Sequence, residues 1–590
     1  MSFGVSPMNR MIKKILSVIL AVTFIISGLS MPVSFAKETQ STATGTFRCD
    51  WFSESLTYPF EYSDEWFGES SYTYNHNVAT FALELSMASF KSFDKDDPDG
   101  NIENIYKQCG FEVESLGYET EDYDTIGVSF GKKEMSVDGQ TFTLVCAAIR
   151  SGNYGMEWGG NMRVGSGENH EGFEIGRNLA ISYINEYFKT NKIDGRVKLL
   201  IPGYSRGASV ANLTAASLDD GSYTSVLQDD DYIEKQNIRL DDIYTYTFEA
   251  PQCTKSSKVN YPEYKNIFNI ANPNDYVTKY LMAKWGYSLY GVKYSLPSPE
   301  KLPNYAEYYD NLCTEFDRMM KVNKKKATAV FYDEENTRSV DAILDHLVDK
   351  IADEVFISPE YYTEHYESGV IFVAGQYLGK KLGAKDALKT AGVMLGAVCL
   401  CLLPDNMSSI KADGFRSYLA REISESKAGK NLSQKEIDGL LELIDSIRKF
   451  VRNNKSDVKA LLGQLKTVMY VHQPYVELTW MNIISEKEIF ETNRQNEALT
   501  LSYDILSLGY KSNAKINAFY DKNLGHIEWA SLDKSIATVS ANGIVTAVGD
   551  GTTTVSATLV DENGNKLASS KVTVTSNMNI IQSVFKANKD

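Results

Sequence analysis

The residue with the most chemistry on offer is Ser205, set in Gly203-Tyr204-Ser205-Arg206-Gly207. A serine hydroxyl is a weak nucleophile at neutral pH. It attacks a carbonyl only when a base takes its proton and a third group fixes that base. Glycines two positions before and after the serine leave room for a sharp strand-to-helix turn that lifts the hydroxyl clear of a sheet. The flanks agree: Val197 to Ile201 is a short buried-type strand, and Ala208 to Leu213 carries small and apolar residues at helical spacing. At the start of that helix the amide of Arg206 would face the negative charge that grows on an attacked carbonyl oxygen. A bare Gly-x-Ser-x-Gly arises often by accident, so its weight comes from the strand and helix around it.

A base for such a serine lies downstream when the order is serine, acid, histidine. His526 belongs to a segment of short strands, His346 falls on the polar side of an apolar-striped helix, and His365 sits in the polar run Tyr362 to Glu367. His472 opens the loop His472-Gln473-Pro474-Tyr475 after an apolar helix, Val458 to Met469, and a rim loop suits a catalytic base. His472 is therefore the expected base, with His365 as the weaker alternative. For the acid, Asp275 follows the strand Lys265–Ile270 and the turn Asn272-Pro273-Asn274, which aims it at the rim where ligands collect. Glu249, at the end of the strand Ile243–Phe248, competes with it, and capping a helix is the other use for Asp275.

Those side chains need elements to gather them. Val78, Phe81, Ala82 and Leu85 share one helical face, and Ile102 to Cys109 reads as a helix stopped by Gly110. Ile126–Phe130 and Thr141–Ile149 read as strands, with a turn at Asp138-Gly139, and a helix runs from Asn169 to about Phe188. Repeated alternation of strands and helices predicts an α/β fold with a mostly parallel sheet covered on both faces. Residues 301–465 are helical in character. One apolar stripe runs through Val340, Leu344, Leu347 and Ile351, and another follows a Ser433/Glu436 capping box. Within them the apolar run Ala391–Leu403 is too short to span a bilayer; it reads as a buried helix or an apolar lid. Over 496–577, short alternating runs between Asn542-Gly543, Gly549-Asp550-Gly551 and Asn563-Gly564 predict a β-sandwich.

Composition sets the surroundings. The 590 residues exceed one small domain, and a net formal charge of −17 offers no basic stripe for nucleic acid. Arg10, Lys13 and Lys14, the apolar run Ile15–Leu29 and Ser34-Phe35-Ala36 read as a signal peptide over 1–36, which implies a secreted or cell-surface protein with no stable membrane span after cleavage. A polar, Thr-rich lead-in is expected over 37–48, within a lead-in running to 69, and residues 578–590 read as a tail. Seven cysteines without Cys-x-x-Cys or Cys/His spacing suggest neither a disulfide framework nor zinc, and no cofactor is expected.

Two resemblances follow from these residues. Ile527-Glu528-Trp529, Ser535 to Val539, Asn542 to Gly549 and Gly551 to Val555 resemble a bacterial immunoglobulin-like group 2 domain, which implies a surface or spacer module. Ile149 to Gly152, His170 to Phe173, Gly203 to Gly207, Thr247 to Pro251, Asn269 to Val277 and His472 resemble a class 3 (fungal-type) lipase domain spread over 70–300 and 466–495. That resemblance implies Ser205 as nucleophile, Asp275 as acid, His472 as base, and a second oxyanion donor at Ser151 or Gly152 beside the Arg206 amide. The chain departs from the family pattern at Tyr204 and Arg206, where the family commonly has His and Leu. Residues 301–465 are then expected as a large helical insertion or cap on an α/β-hydrolase-type core.

The reading is a secreted serine ester hydrolase acting on an ester or lipid through a Ser-His-Asp triad. The immunoglobulin-like segment is the candidate contact for cell-wall or surface carbohydrate. The alternative is an inactive hydrolase-like scaffold that serves adhesion through that segment.

Overall fold

The computed structural model describes residues 41–51, 54–90, 102–118, 125–150, 159–227, 231–279, 283–297, 305–321, 340–373, 432–463, 471–493, 499–501, 505–509, 513–520 and 524–577. The signal-peptide expectation over 1–36, the apolar run Ala391–Leu403, the tail and both candidate oxyanion residues Ser151 and Gly152 lie outside the described residues.

A hairpin of β1 (Thr42–Trp51) and β2 (Glu54–Ser63) precedes a seven-stranded sheet. The sheet is built from β3 (Glu112–Leu116), β4 (Val128–Val137), β5 (Gln140–Ile149), β6 (Arg196–Tyr204), β7 (Asn237–Phe248), β8 (Ile267–Ala271) and β9 (Val292–Ser295), which lie in chain order from one edge to the other. β3, β4 and β5 pair antiparallel, and β5 through β9 pair parallel. The β4–β5 turn is tight because Asp138 (φ 51°) and Gly139 (φ 74°) both adopt positive φ, the geometry a two-residue hairpin asks for.

Helices α1 (His76–Ala88), α2 (Ile102–Gln108), α3 (Glu171–Thr190) and α4 (Arg206–Asp219) cover the sheet. Asn75 starts α1, its side-chain oxygen accepting the N–H groups of Asn77 and Val78 at 3.0 and 3.1 Å. Successive side chains of β6 point to opposite faces. Leu200 and Tyr204 enter one apolar cluster with α1 and the hairpin, while Val197, Leu199 and Ile201 enter another with α3 and α4. Both faces of the central strands are thus dry, as a strand in the middle of a covered sheet requires.

The expected flexible lead-in does not survive over residues 42–48, which belong to β1. Ala43, Phe47, Cys49 and Trp51 alternate with polar neighbours, so one face of the strand buries against α1 while its threonines face outward. Thr-rich composition on a half-buried surface favours a strand as readily as a linker.

After β9, the helix Tyr305–Met320 packs on the helix Pro474–Ile483, Phe316 meeting the Tyr475 ring edge-on at 5.6 Å between centroids. Val340–Ile351, Pro359–His365, Glu367–Val373, Gln434–Asn453 and Lys455–Gly463 are also helical. Their apolar faces form a separate cluster that takes in Val164 and Tyr287 of the sheet region. The expected capping box is present: Ser433 N–H donates to Glu436 Oε2 at 2.6 Å and Glu436 N–H to Ser433 Oγ at 3.3 Å.

From Thr500 onward every regular element among the described residues is a strand. Four strands (Ile505–Gly509, Lys566–Asn577, Gly551–Val560, His526–Ser531) form one sheet and three (Asn513–Lys515, Ile544–Ala547, Ala537–Val539) a second, around Leu506, Leu508, Val545, Val555, Leu559 and Val572. Tyr72, from the segment before α1, is buried in that same cluster, and its hydroxyl donates to the Glu263 carbonyl at 3.0 Å. Asn517 Nδ2 donates to Glu486 Oε1 at 2.8 Å. The strand-built segment is therefore seated on its neighbour through buried contacts.

Candidate active site

The turn that carries Ser205 is forced by close packing. Gly203 in β6 pairs with Ile149 of β5 on one side and Thr247 of β7 on the other. A Cβ at Gly203 would stand 2.4 Å from the Gly207 carbonyl oxygen, and a Cβ at Gly207 would stand 2.7 Å from that of Ile149. Only glycine fits at either place. Ser205 between them has φ 51° and ψ −126°, a strained conformation for a residue with a side chain. Its amide donates to the Phe248 carbonyl at 2.9 Å, which fixes the turn on β7.

Asp275 and His472 meet Ser205 from two other parts of the chain. The Ser205 hydroxyl lies 2.9 Å from His472 Nε2, and His472 Nδ1 lies in close contact with Asp275 Oδ2. With the carboxylate as acceptor, Nδ1–H donates to Asp275 and Nε2 is left to accept the serine proton. Asp275 is completely buried, and its other oxygen accepts the Val277 N–H at 2.8 Å. Asp275 thus serves two partners, one on each oxygen: the imidazole and the Val277 amide of the turn that follows it. The 197 positions between Asp275 and His472 are closed by the helix Pro474–Ile483, which enters the core through Val476, Leu478 and Trp480 and anchors the histidine one turn upstream.

The other histidines stand elsewhere. His346 pairs with Asp457 at 3.4 Å on an exposed surface, His365 Nδ1 is 2.9 Å from the Tyr361 carbonyl, and His526 starts a strand of the C-terminal segment. His170 stands at the N-cap position of α3 without a side-chain capping bond, and its ring stacks on Phe173 at 4.0 Å. Burial, reinforced by the nearby Arg206 guanidinium, pushes its pKa down to about 3, so it is neutral.

Arg206 does not present its charge toward Ser205. Its guanidinium is buried, donating to Asn161 Oδ1 at 3.1 Å and to the Thr125 carbonyl at 3.4 Å, with the Phe173 ring 5.9 Å away. Its backbone amide is the first of α4, where helix geometry provides no intrahelical acceptor. β5 ends at Ile149, against Gly207, and Arg150 separates it from Ser151 and Gly152 in the sequence.

The aromatic surroundings of the histidine were not legible in the sequence. Trp51, Tyr204 and Tyr276 surround the His472 ring at centroid distances of 6.0, 5.4 and 6.0 Å, and Phe90 packs on Trp51 at 4.8 Å. Tyr276 is the open member of this aromatic wall, at 41% exposure. Trp51 belongs to the hairpin, and only the alternation of β1 could have marked it as inward-facing. Glu249, weighed as the acid, and Glu477, not considered, are both buried close to Asp275.

A comparison with curated proteins finds no match. Among solved structures the chain is similar over its N-terminal region to a fungal lipase in complex with an inhibitor (16% identity, covering 38% of this chain and 79% of that one, TM-score 0.25). It is also similar to a triacylglycerol lipase whose catalytic centre is described as a serine protease triad (16% identity, 38% and 80%, TM-score 0.25). A third is a lipase from Rhizopus microsporus var. chinensis (13% identity, 38% and 77%, TM-score 0.23). Residues 510–572, within the strand-built C-terminal segment, match the family described as bacterial Ig-like domain (group 2).

Proposed function

We propose that the chain is a secreted serine ester hydrolase of the lipase or esterase type. The observation that carries this reading is the unbroken line from Ser205 Oγ through His472 to Asp275, at a strained turn between a strand and a helix. In the proposed reaction His472 Nε2 takes the Ser205 proton as Oγ bonds to the ester carbonyl carbon. The Arg206 amide receives the oxyanion, with Ser151 or Gly152 as the proposed second donor. Collapse of the tetrahedral intermediate breaks the ester C–O bond, and His472 returns its proton to the departing alkoxide. Water, deprotonated by the same imidazole, then attacks the acyl-serine and frees the acid and the enzyme. Asp275 holds the tautomer and balances the imidazolium charge at each step.

The helices between Tyr305 and Gly463 are proposed as the cap that shapes the acyl site. They engage the segment leading into α3: the Tyr362 hydroxyl donates to the Met162 carbonyl at 2.9 Å, and Gly165 N–H donates to Glu367 Oε1 at 2.9 Å. Secretion is part of the proposal and rests on the leader reading of 1–36. Among the described residues no helix is long and apolar enough to cross a membrane.

Pre-steady-state hydrolysis of p-nitrophenyl butyrate tests the reaction. A burst of p-nitrophenol stoichiometric with enzyme, or single-phase turnover that requires Ser205, is expected. Equal hydrolysis by wild type and Ser205→Ala would overturn it.

A further inference from the structure

Beside Asp275 lie two more carboxyl groups, Glu249 and Glu477, 0% and 1% exposed. Together the three acids join the elements that bear the triad. Glu249 follows β7, whose last carbonyl holds the Ser205 amide. Asp275 follows β8, and Glu477 lies one helical turn and a half past His472 in the helix Pro474–Ile483. Glu249 Oε1 accepts the Asn272 N–H at 2.9 Å, which ties down the turn that presents Asp275. The Glu249 carboxyl is close enough to those of Glu477 and Asp275 to feel the charge of both. Among the described residues no amide, hydroxyl or cationic donor reaches Glu249 Oε2 or either carboxyl oxygen of Glu477.

Carboxylates facing one another in a dry interior repel, and each lacks its solvation; a proton between them removes both costs. Burial, then the neighbouring Glu477 and Asp275, push the Glu249 pKa well above the carboxylate range, and burial pushes Glu477 up to about 8. The backbone at Glu249 adds an independent sign. Its φ is 51°, a conformation glycine adopts without strain and glutamate does not, and such strain persists where the surroundings demand the side chain.

We propose that Glu249 is a positioning residue of the hydrolase site: as a neutral carboxylic acid it donates its O–H into the cluster containing Asp275, while its other oxygen clamps the Asn272–Asp275 turn. Asp275 then remains the single charge facing His472, held by the imidazole, the Val277 amide and the acid network. The inference rests on the triad reading and deepens it.

The test compares Glu249→Gly and Glu249→Gln with wild type in the full chain. The readouts are thermal melts followed by circular dichroism, steady-state hydrolysis of p-nitrophenyl butyrate, and the rate of fluorophosphonate labelling. Glycine suits the positive φ but removes both hydrogen bonds, whereas glutamine keeps an acceptor for Asn272 and an N–H donor for the cluster. The expected result is a fall in kcat of about tenfold or more for Glu249→Gly with KM within about twofold, and Glu249→Gln within about threefold of wild type. Should Glu249→Gly fail to fold, Glu249→Met, which fills the space without a donor, takes its place with the same expected loss. Wild-type turnover in a folded donor-less variant overturns the proposal, as does a glutamine variant as slow as the donor-less one. Absence of any labelling of wild type would instead remove the triad reading and this inference with it.

Discussion

Ser205 Oγ lies 2.9 Å from His472 Nε2 although 267 positions separate the two residues. The serine is fixed by a turn that only two glycines allow, and the histidine by a helix whose apolar residues sink into the far side of the same core. Neither element contacts the other by chance of sequence proximity, so the alignment is a product of the whole fold. Asp275 completes the line from the end of a third strand.

Asp275→Asn leaves the shape of the acid intact but removes its charge and favours the wrong imidazole tautomer. The expected loss in kcat is roughly 10³ to 10⁴-fold, with KM little changed. Steady-state kinetics on a p-nitrophenyl ester checks this; a loss of less than about tenfold would mean that Asp275 serves only to hold the turn through the Val277 amide.

Gly203→Ala places a methyl group 2.4 Å from the Gly207 carbonyl oxygen, and both partners are backbone in the middle of a covered sheet. The strand or the turn has to shift, at an expected cost of about 2 kcal/mol or more, and the serine moves with it. Denaturant unfolding should show a lower midpoint and labelling of Ser205 should slow. An unchanged midpoint would contradict the packing described for the turn.

Glu486 sits at the contact with the strand-built C-terminal segment. Burial, opposed by the Asn517 hydrogen bond, raises its pKa from 4.5 to about 7. Between those values the folded chain holds a proton that the unfolded chain has released. The contribution of Glu486 is therefore complete below pH 4.5 and is lost as the pH rises through about 7. Relative to Glu486→Gln, wild type should lose stability from pH 4.5 to 7.5 in denaturant unfolding of the full chain. A difference between the two proteins that stays constant across this range would refute the assignment.

Much of this arrangement could be read from residue types. The glycine spacing around Ser205, the alternation of Ile544–Ala547 and its neighbours, and the Ser433/Glu436 box are local signals with local causes, and each element lies where its pattern put it. The positions of Asp275 and His472 at strand and loop ends were legible as candidates, but their meeting depends on packing over long separations that no spacing encodes. The hairpin was missed because threonine-rich sequence suits a linker and a half-buried strand alike, and with it went Trp51 at the histidine ring. Glu477 was hidden for the opposite reason. A glutamate on a helix ordinarily faces water, and only the neighbouring Glu249 gives it a reason to be inside.

The most direct test is to treat the purified full chain with a fluorophosphonate and map the adduct by mass spectrometry. The account predicts one phosphonyl group per chain, on the peptide containing Ser205, absent in Ser205→Ala and at least about a hundredfold slower to form in His472→Ala. No adduct on the wild-type chain, or an adduct that persists in Ser205→Ala, would contradict it.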